Sequence, residues 1–242
     1  MKLNDRQNTI LMRLKKEKKV SVAELARELY VCEMTIRRDL KLLEENKLLK
    51  RYNGGAVELE SGISNIAFRK FFNDDEKRLL ASEAKKHLRD GITVFLDSSS
   101  TCEYLVPHLS DFKDIMLVTN SVQTLMSAAE YNIPCILTGG SYYPGDMCLV
   151  GGNARRFLEN INIDIAFLSV RGYSDDGIMS DDNEAQTEIR KAVLKIADKS
   201  VFLFTNDKLH RKYIYRLCCA DDAAEVITPH GVGESKKFVR HS

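Results

Sequence analysis

The sequence predicts an α/β protein in two parts. A small N-terminal part combines three helices with a hairpin. A larger part forms a mostly parallel sheet with helices on both faces. Three observations carry this reading. The run 32–46, CEMTIRRDLKLLEEN, sets Ile36, Leu40 and Leu43 on one helix face and groups Arg37, Arg38 and Lys41 elsewhere, within about one helical turn. The run 48–57, LLKRYNGGAV, reads as strand, Gly-Gly turn and returning strand. Beyond residue 91, short apolar runs alternate with helical patterns, the signature of a parallel sheet.

At 242 residues the chain suits two domains, placed at 1–57 and 73–242 with a connector at 58–72. The formal net charge of +1 hides an asymmetry. Residues 1–57 hold 14 Lys and Arg against 8 Asp and Glu, and the remainder holds 22 against 27. A basic small domain joined to an acidic larger one points to nucleic-acid contact at one end only. The six cysteines form no CxxC pair, and no histidines fall at ligand spacing, so neither a metal site nor a cofactor is expected. The N-terminus is polar and no apolar run reaches membrane-spanning length, so a cytoplasmic protein with no membrane partner is expected.

Taken in order, Asn4 and Gln7 read as a capping pair opening a first helix through Ile10, Leu11 and Leu14. Ser21 and Glu24 read as a capping box opening a second helix through Leu25 and Leu29. Residues 30–32 turn into the third helix, and Asn46 suits a left-handed stop. Three helices and a basic hairpin make a winged helix-turn-helix. In that plan the third helix enters the major groove and the wing touches backbone or minor groove. Thr35, Arg37, Arg38 and Lys41 are the candidate contacts on the helix, and Lys50, Arg51 and Tyr52 those on the wing. An arginine fork can grip guanine or a phosphate.

The second part opens with a helix capped at 73–76. Strands are expected at 92–96, 115–118, 134–137, 163–170, 201–205, 213–218 and 225–227, and Asp181 is expected to cap a helix running to 198. In such sheets ligands sit where the strands end. There the sequence places Asp97, Ser98, Ser99, Ser100 and Thr101 in one loop, then Asn120, Arg171 and Lys208, with Glu184 near a helix start. The hydroxyl-rich loop before a helix predicts an anion cradle, with Asp97 suited to a sugar hydroxyl.

The run 21–57, with TIRRDL and a wing ending in GGA, closely resembles the DNA-binding domain of DeoR-type bacterial transcriptional regulators. Cys32 stands where that family usually has Ser, and Asn53 where it has His. The second part is similar to the family's sensor domain. DSSST at 97–101 matches its Asp-x-Gly-Thr/Ser-Thr loop with Ser99 for Gly, VTNS at 118–121 matches directly, and Glu184-Ala185 matches its helix start. Ser169-Val170 replaces a Gly-Ala pair, and of a later Asp-x-Ser-Lys segment only Lys208 survives. The resemblance implies a sensor domain similar to ribose-5-phosphate isomerase. It also implies a double-stranded DNA operator as partner, a phosphorylated sugar as effector, and a repressor of sugar catabolism. A two-fold operator implies a homodimer or homotetramer. The competing expectation is an isomerase-like enzyme with a DNA-binding appendage. It would need Glu184 and Lys208 to act as an acid–base pair, and no such signature is legible.

Overall fold

The computed structural model describes residues 3–46, 48–58, 69 and 72–233. The chain divides into two compact units, 1–72 and 73–242.

In the first unit, α1 (Asp5–Glu17) starts in a reciprocal capping box. Asn4 Oδ1 accepts from the Gln7 N–H at 2.9 Å, and Gln7 Oε1 accepts from the Asn4 N–H at 3.2 Å. A short strand absent from the sequence expectation, β1 (Lys19–Ser21), follows. α2 (Val22–Glu28) has half the expected box. Ser21 Oγ accepts from the Glu24 N–H, but its hydroxyl donates to the Glu24 carboxylate at 2.7 Å. Tyr30, at φ 52°, turns the chain into α3 (Glu33–Glu45). That helix does not stop in a left-handed residue. Asn46 has φ −88°, and its side-chain amide and backbone N–H both reach the Leu42 carbonyl, satisfying an orphan acceptor directly.

Leu48 and Leu49, expected to begin a strand, instead fill the core. The hairpin is β2 (Lys50–Tyr52) and β3 (Gly55–Val57), and β1 pairs with β3 to give a three-stranded sheet in the order β1-β3-β2. Ile10, Leu11, Leu14, Ile36, Leu40 and Leu43 close one core with Leu48, Leu49 and Phe72. The Lys15 ammonium lies 4.7 Å over the Phe72 ring. Phe72, expected to end a connector, therefore packs with the first unit. Residues 59–68, 70 and 71 of that connector lie outside the described residues.

The second unit is built on seven strands in the order β15-β14-β12-β9-β4-β5-β6. These are β4 (Thr93–Leu96), β5 (Met116–Thr119), β6 (Cys135–Leu137), β9 (Ile163–Leu168), β12 (Ala197–Leu203), β14 (Glu225–Thr228) and β15 (Gly231–Gly233). All neighbours are parallel except β14 and β15. The central strands read as near-continuous apolar runs because both faces are covered. Val94, Leu96, Phe167, Val201 and Leu203 fall on one face, under α4 (Asp74–Ala84), α5 (Val106–Leu109) and α6 (Val122–Glu130). Phe95, Ala166, Leu168, Phe202 and Phe204 fall on the other, under α7 (Gly152–Leu158) and α8 (Glu184–Ile196).

The sequence reading missed a hairpin, β7 (Ser141–Tyr143) with β8 (Cys148–Val150). It also missed β10 (Gly172–Tyr173) and β11 (Ile178–Asp181); the strand expected at 213–218 exists as β13 (Tyr215–Cys219), but it joins these two in a small separate antiparallel sheet. Asp181 does not cap α8: it ends β11, and Asn183 is the cap, accepting from the Gln186 N–H at 3.0 Å.

Candidate functional site

On α3 the apolar stripe faces the core, and Met34, Arg37, Arg38 and Lys41 form an exposed face with Thr35 at its margin. Arg37 is held by Glu33 at 2.7 Å, one turn earlier, and Lys41 sits 3.8 Å from Glu45. Arg38 makes no ion pair with any described residue. The Asp of TIRRDL, which sequence reasoning passed over, anchors the helix. Asp39 is buried, accepting from Arg6 Nε at 2.5 Å and Gln7 Nε2 at 2.9 Å, both on α1. The same Gln7 caps α1, so one residue sets the start of one helix and the seat of another.

On the wing, Lys50 is exposed. Arg51 donates through its backbone N–H and Nε to Glu44 of α3 at 2.8 and 2.7 Å, and these bonds hold the Glu44 carboxyl below the usual range. Tyr52 is committed to the fold. Its hydroxyl donates to the Val20 carbonyl at 3.3 Å, and the Lys19 ammonium covers its ring at 4.6 Å. Any part it has in a DNA contact is through a ring already packed.

In the second unit, Leu96 is in register with Thr119 and Phe167, and Leu168 with Phe202. The loops after β4, β5, β9 and β12 therefore start at one level. They bring together Asp97–Thr101, Asn120, Ser169–Arg171 and Lys208. Lys208 Nζ donates to Thr101 Oγ1 at 3.0 Å and Ser169 Oγ at 2.6 Å, tying three loops. Asn120 is buried, and its side-chain oxygen has no donor among the described residues. Ser98 Oγ donates to Gln186 Oε1 at 2.6 Å, and Ser99 Oγ caps the Cys102 N–H at 3.1 Å. The backbone N–H groups of Ser100 and Thr101 donate to no described residue, although both residues are buried.

Two expectations need correction. The loop leads into a 3-10 turn, Cys102–Leu105, and then only the single helical turn of α5, so little helix dipole reaches it. Asp97 is not open to a sugar hydroxyl. Its carboxylate already accepts from the Ser99 N–H (2.9 Å), the Ser169 N–H (3.0 Å) and Arg190 Nε (2.8 Å). Burial opposes its ionisation, but the Arg190 charge and these bonds outweigh burial and hold its carboxyl below the usual range.

Arg190 is the residue the sequence reading missed. Its side chain is 5% exposed, and it also reaches Asp181 at 2.9 Å and Gln186 Oε1 at 3.2 Å. Gln186 in turn donates to Asp146. The available signal was a Gln and an Arg, four apart, on the same face of α8 as Ile189 and Val193. Glu184, the residue chosen instead, is exposed at the start of α8. Arg171 is ringed by acids: Asp182 at 2.7 Å, Asp181 at 3.6 Å and Asp146 at 3.9 Å. The ammonium that meets hydroxyls is that of Lys208. Among the described residues no group of three or more His, Cys, Asp or Glu could hold a metal ion, and no helix is long and apolar enough to cross a membrane.

Two family models match: a DeoR-like helix-turn-helix domain over residues 6–61 and a DeoR C-terminal sensor domain over 72–230. The chain is 32% identical to the HTH-type transcriptional regulator GolR of Listeria innocua, over 97% of this chain and 94% of that protein. It is 27% identical to the glycerol-3-phosphate regulon repressor of Escherichia coli, over 87% and 84%. Among solved structures, ribose 5-phosphate isomerase A from Methanocaldococcus jannaschii is similar at 22% identity and a TM-score of 0.43, over 57% of this chain and 55% of that one.

Proposed function

The chain belongs to the DeoR family of helix-turn-helix transcriptional regulators, and on that premise we propose that it represses a sugar-catabolism operon and is modulated by a phosphorylated sugar. One observation carries the effector reading. The N–H groups of Ser100 and Thr101, which donate to no described residue, lie in the loop that Lys208 grips, and at the end of the neighbouring strand a buried Asn120 oxygen has no donor among the described residues. Two N–H donors and an ammonium suit phosphate oxygens. Asn120 suits a sugar hydroxyl. Asp97 and Arg190 hold the loop from behind. The reading of a repressor draws on the E. coli relative, named for repression of a glycerol-3-phosphate regulon.

On the DNA side, Arg38, Arg37, Lys41 and Thr35 contact bases or phosphates of the operator, and Lys50 with Arg51 contacts its backbone. The operating form is a homo-oligomer, because paired half-sites need paired readers. Effector binding favours one arrangement of that assembly over another, and operator affinity changes by the same linkage.

The test uses the full chain and DNA from its own promoter. Phosphorylated sugars and their unphosphorylated parents are compared by thermal melting and by operator binding. An effector at about 100 times its dissociation constant adds about 2.7 kcal/mol, which moves the melting point by a few degrees. One sugar phosphate is expected to do this and to alter operator affinity, with both effects lost in Lys208→Ala. If no phosphorylated sugar moves either quantity, the effector reading fails and the DNA-binding reading stands.

A further inference from the structure

The outermost row of α3 is not wholly cationic. At about 100° per residue, Met34 lies about 160° around the helix from buried Ile36, with Arg38 about 40° and Lys41 about 20° from it in angle. Met34, Arg38 and Lys41 therefore form one i, i+4, i+7 row directed away from the core. Met34 stands at the amino end of that row, in the first turn of the helix, and is 62% exposed. Thr35 and Arg37 lie on the two flanks, and Arg37 is held by Glu33.

A single apolar side chain on a surface needs no explanation by itself. This one differs in its company. It opens the row that the proposed DNA contacts occupy, and a helix-turn-helix reads base edges with the amino-terminal residues of its reading helix. A surface that only gripped phosphates would have no use for a thioether, which has no N–H or O–H to donate. A surface that reads bases does. The major-groove edges carry hydrogen-bond donors and acceptors and a single apolar group, the C5 methyl of thymine. The unbranched, polarizable methionine chain adapts to so small a target. Another base at that place would set a polar edge against carbon and sulfur without a partner, which costs binding.

We propose that Met34 is a specificity-determining residue whose side chain packs on the C5 methyl of one thymine in the operator half-site. The proposal rests on α3 as the reading helix and adds to it a base its cations do not choose. Arg38 and Lys41 grip guanine or phosphate, so a preference for thymine beside them has its source in Met34.

The test uses the full chain to select duplexes from a randomised double-stranded DNA library, with affinity measured by fluorescence anisotropy at one fixed salt concentration. In the selected duplex each thymine is exchanged in turn for deoxyuridine, which removes the C5 methyl and nothing else. One thymine per half-site is expected to respond, with affinity falling about fourfold, the worth of one methyl taken out of water. Met34→Ala is expected to bind the thymine and deoxyuridine duplexes equally. Its circular dichroism should be unchanged, because the position is exposed and alanine favours a helix. Selection repeated with Met34→Gln is expected to move the preferred base at that place to adenine, whose N6 and N7 a glutamine amide can grip. Arg38→Ala separates the two readings. If it binds as the wild type does, or if no duplex is enriched, α3 is not the reading helix and both fail. If it weakens binding while no thymine responds to loss of its methyl, or while Met34→Ala still tells thymine from deoxyuridine, the proposal for Met34 alone is overturned. A response that survives in Met34→Ala and disappears in Thr35→Ser assigns the methyl contact to Thr35 and overturns it too.

Discussion

Each unit has a buried carboxylate that grips an arginine, and the two grips differ in their access to water. Asp39 joins α3 to α1 through Arg6, whose side chain keeps 33% of its surface exposed, and Gln7 shares the task. Asp97 joins the β4 loop to α8 through Arg190, which is 5% exposed and also holds Asp181. Breaking the first pair returns a cation to solvent. Breaking the second strands two carboxylates in the interior. The comparison teaches that an ion pair's worth follows from where its survivors are left, more than from its length.

The largest effect is therefore expected from Arg190→Met. Loss of the guanidinium should cost the second unit about 3–5 kcal/mol in urea unfolding. The pH dependence should also reverse. In the wild type the depressed Asp97 carboxyl contributes stability that is present above the ordinary carboxylate range and is lost as pH falls through its lowered value. In Arg190→Met the buried Asp97 carboxyl loses its cation and rises above the ordinary range, so acidification from neutrality should stabilise that variant. A variant that weakens on acidification as the wild type does would show that Arg190 does not hold Asp97 ionised.

A smaller loss, about 1–3 kcal/mol, is expected from Asp39→Ala, confined to the first unit and read by its separate melting. If it equals the Arg190 loss, exposure of the partner is not what separates the two grips. Arg38→Ala should leave stability within about 0.5 kcal/mol while weakening operator binding by about 1–3 kcal/mol. Stability loss without binding loss would make Arg38 a structural residue. Smallest is a chemical contrast among thiols. Hydrogen bonding by the Thr35 hydroxyl lowers the pKa of exposed Cys32, whereas burial pushes Cys218 up to about 12. Iodoacetamide should label Cys32 first in the native protein, more slowly once Thr35→Val removes the hydroxyl. Equal labelling of Cys32 and Cys218 would contradict this order.

Much of the architecture was legible because its signals are local. Capping at Asn4, the stripe of Ile36, Leu40 and Leu43, and the alternation of apolar strands each depend on neighbours in sequence. The loops at 97–101, 120, 171 and 208 were found because parallel strands deliver their ends to one edge. Short elements escaped. β1 has three residues and exists through its pairing with β3, and β10 is held by β11. Residue roles escaped where the partner is remote. Asp97 reads as a ligand group until Arg190, ninety-three positions away, occupies it. Tyr52 reads as a contact until Val20 takes its hydroxyl.

The wing has a further consequence. Its inner strand, β3, is pinned on the far side by β1, the Val22 N–H donates to the Gly54 carbonyl at 2.8 Å, and a Cβ at Gly55 would come within 2.0 Å of the Val20 carbonyl. Arg51 is meanwhile bonded to the third helix through Glu44. Hairpin, turn and reading helix are thus one casting without a joint. A signal that alters the grip on DNA must displace this head bodily. In the homo-oligomer proposed above it acts on the spacing between heads, as a change of gauge does on a track, and leaves each head's own fit untouched.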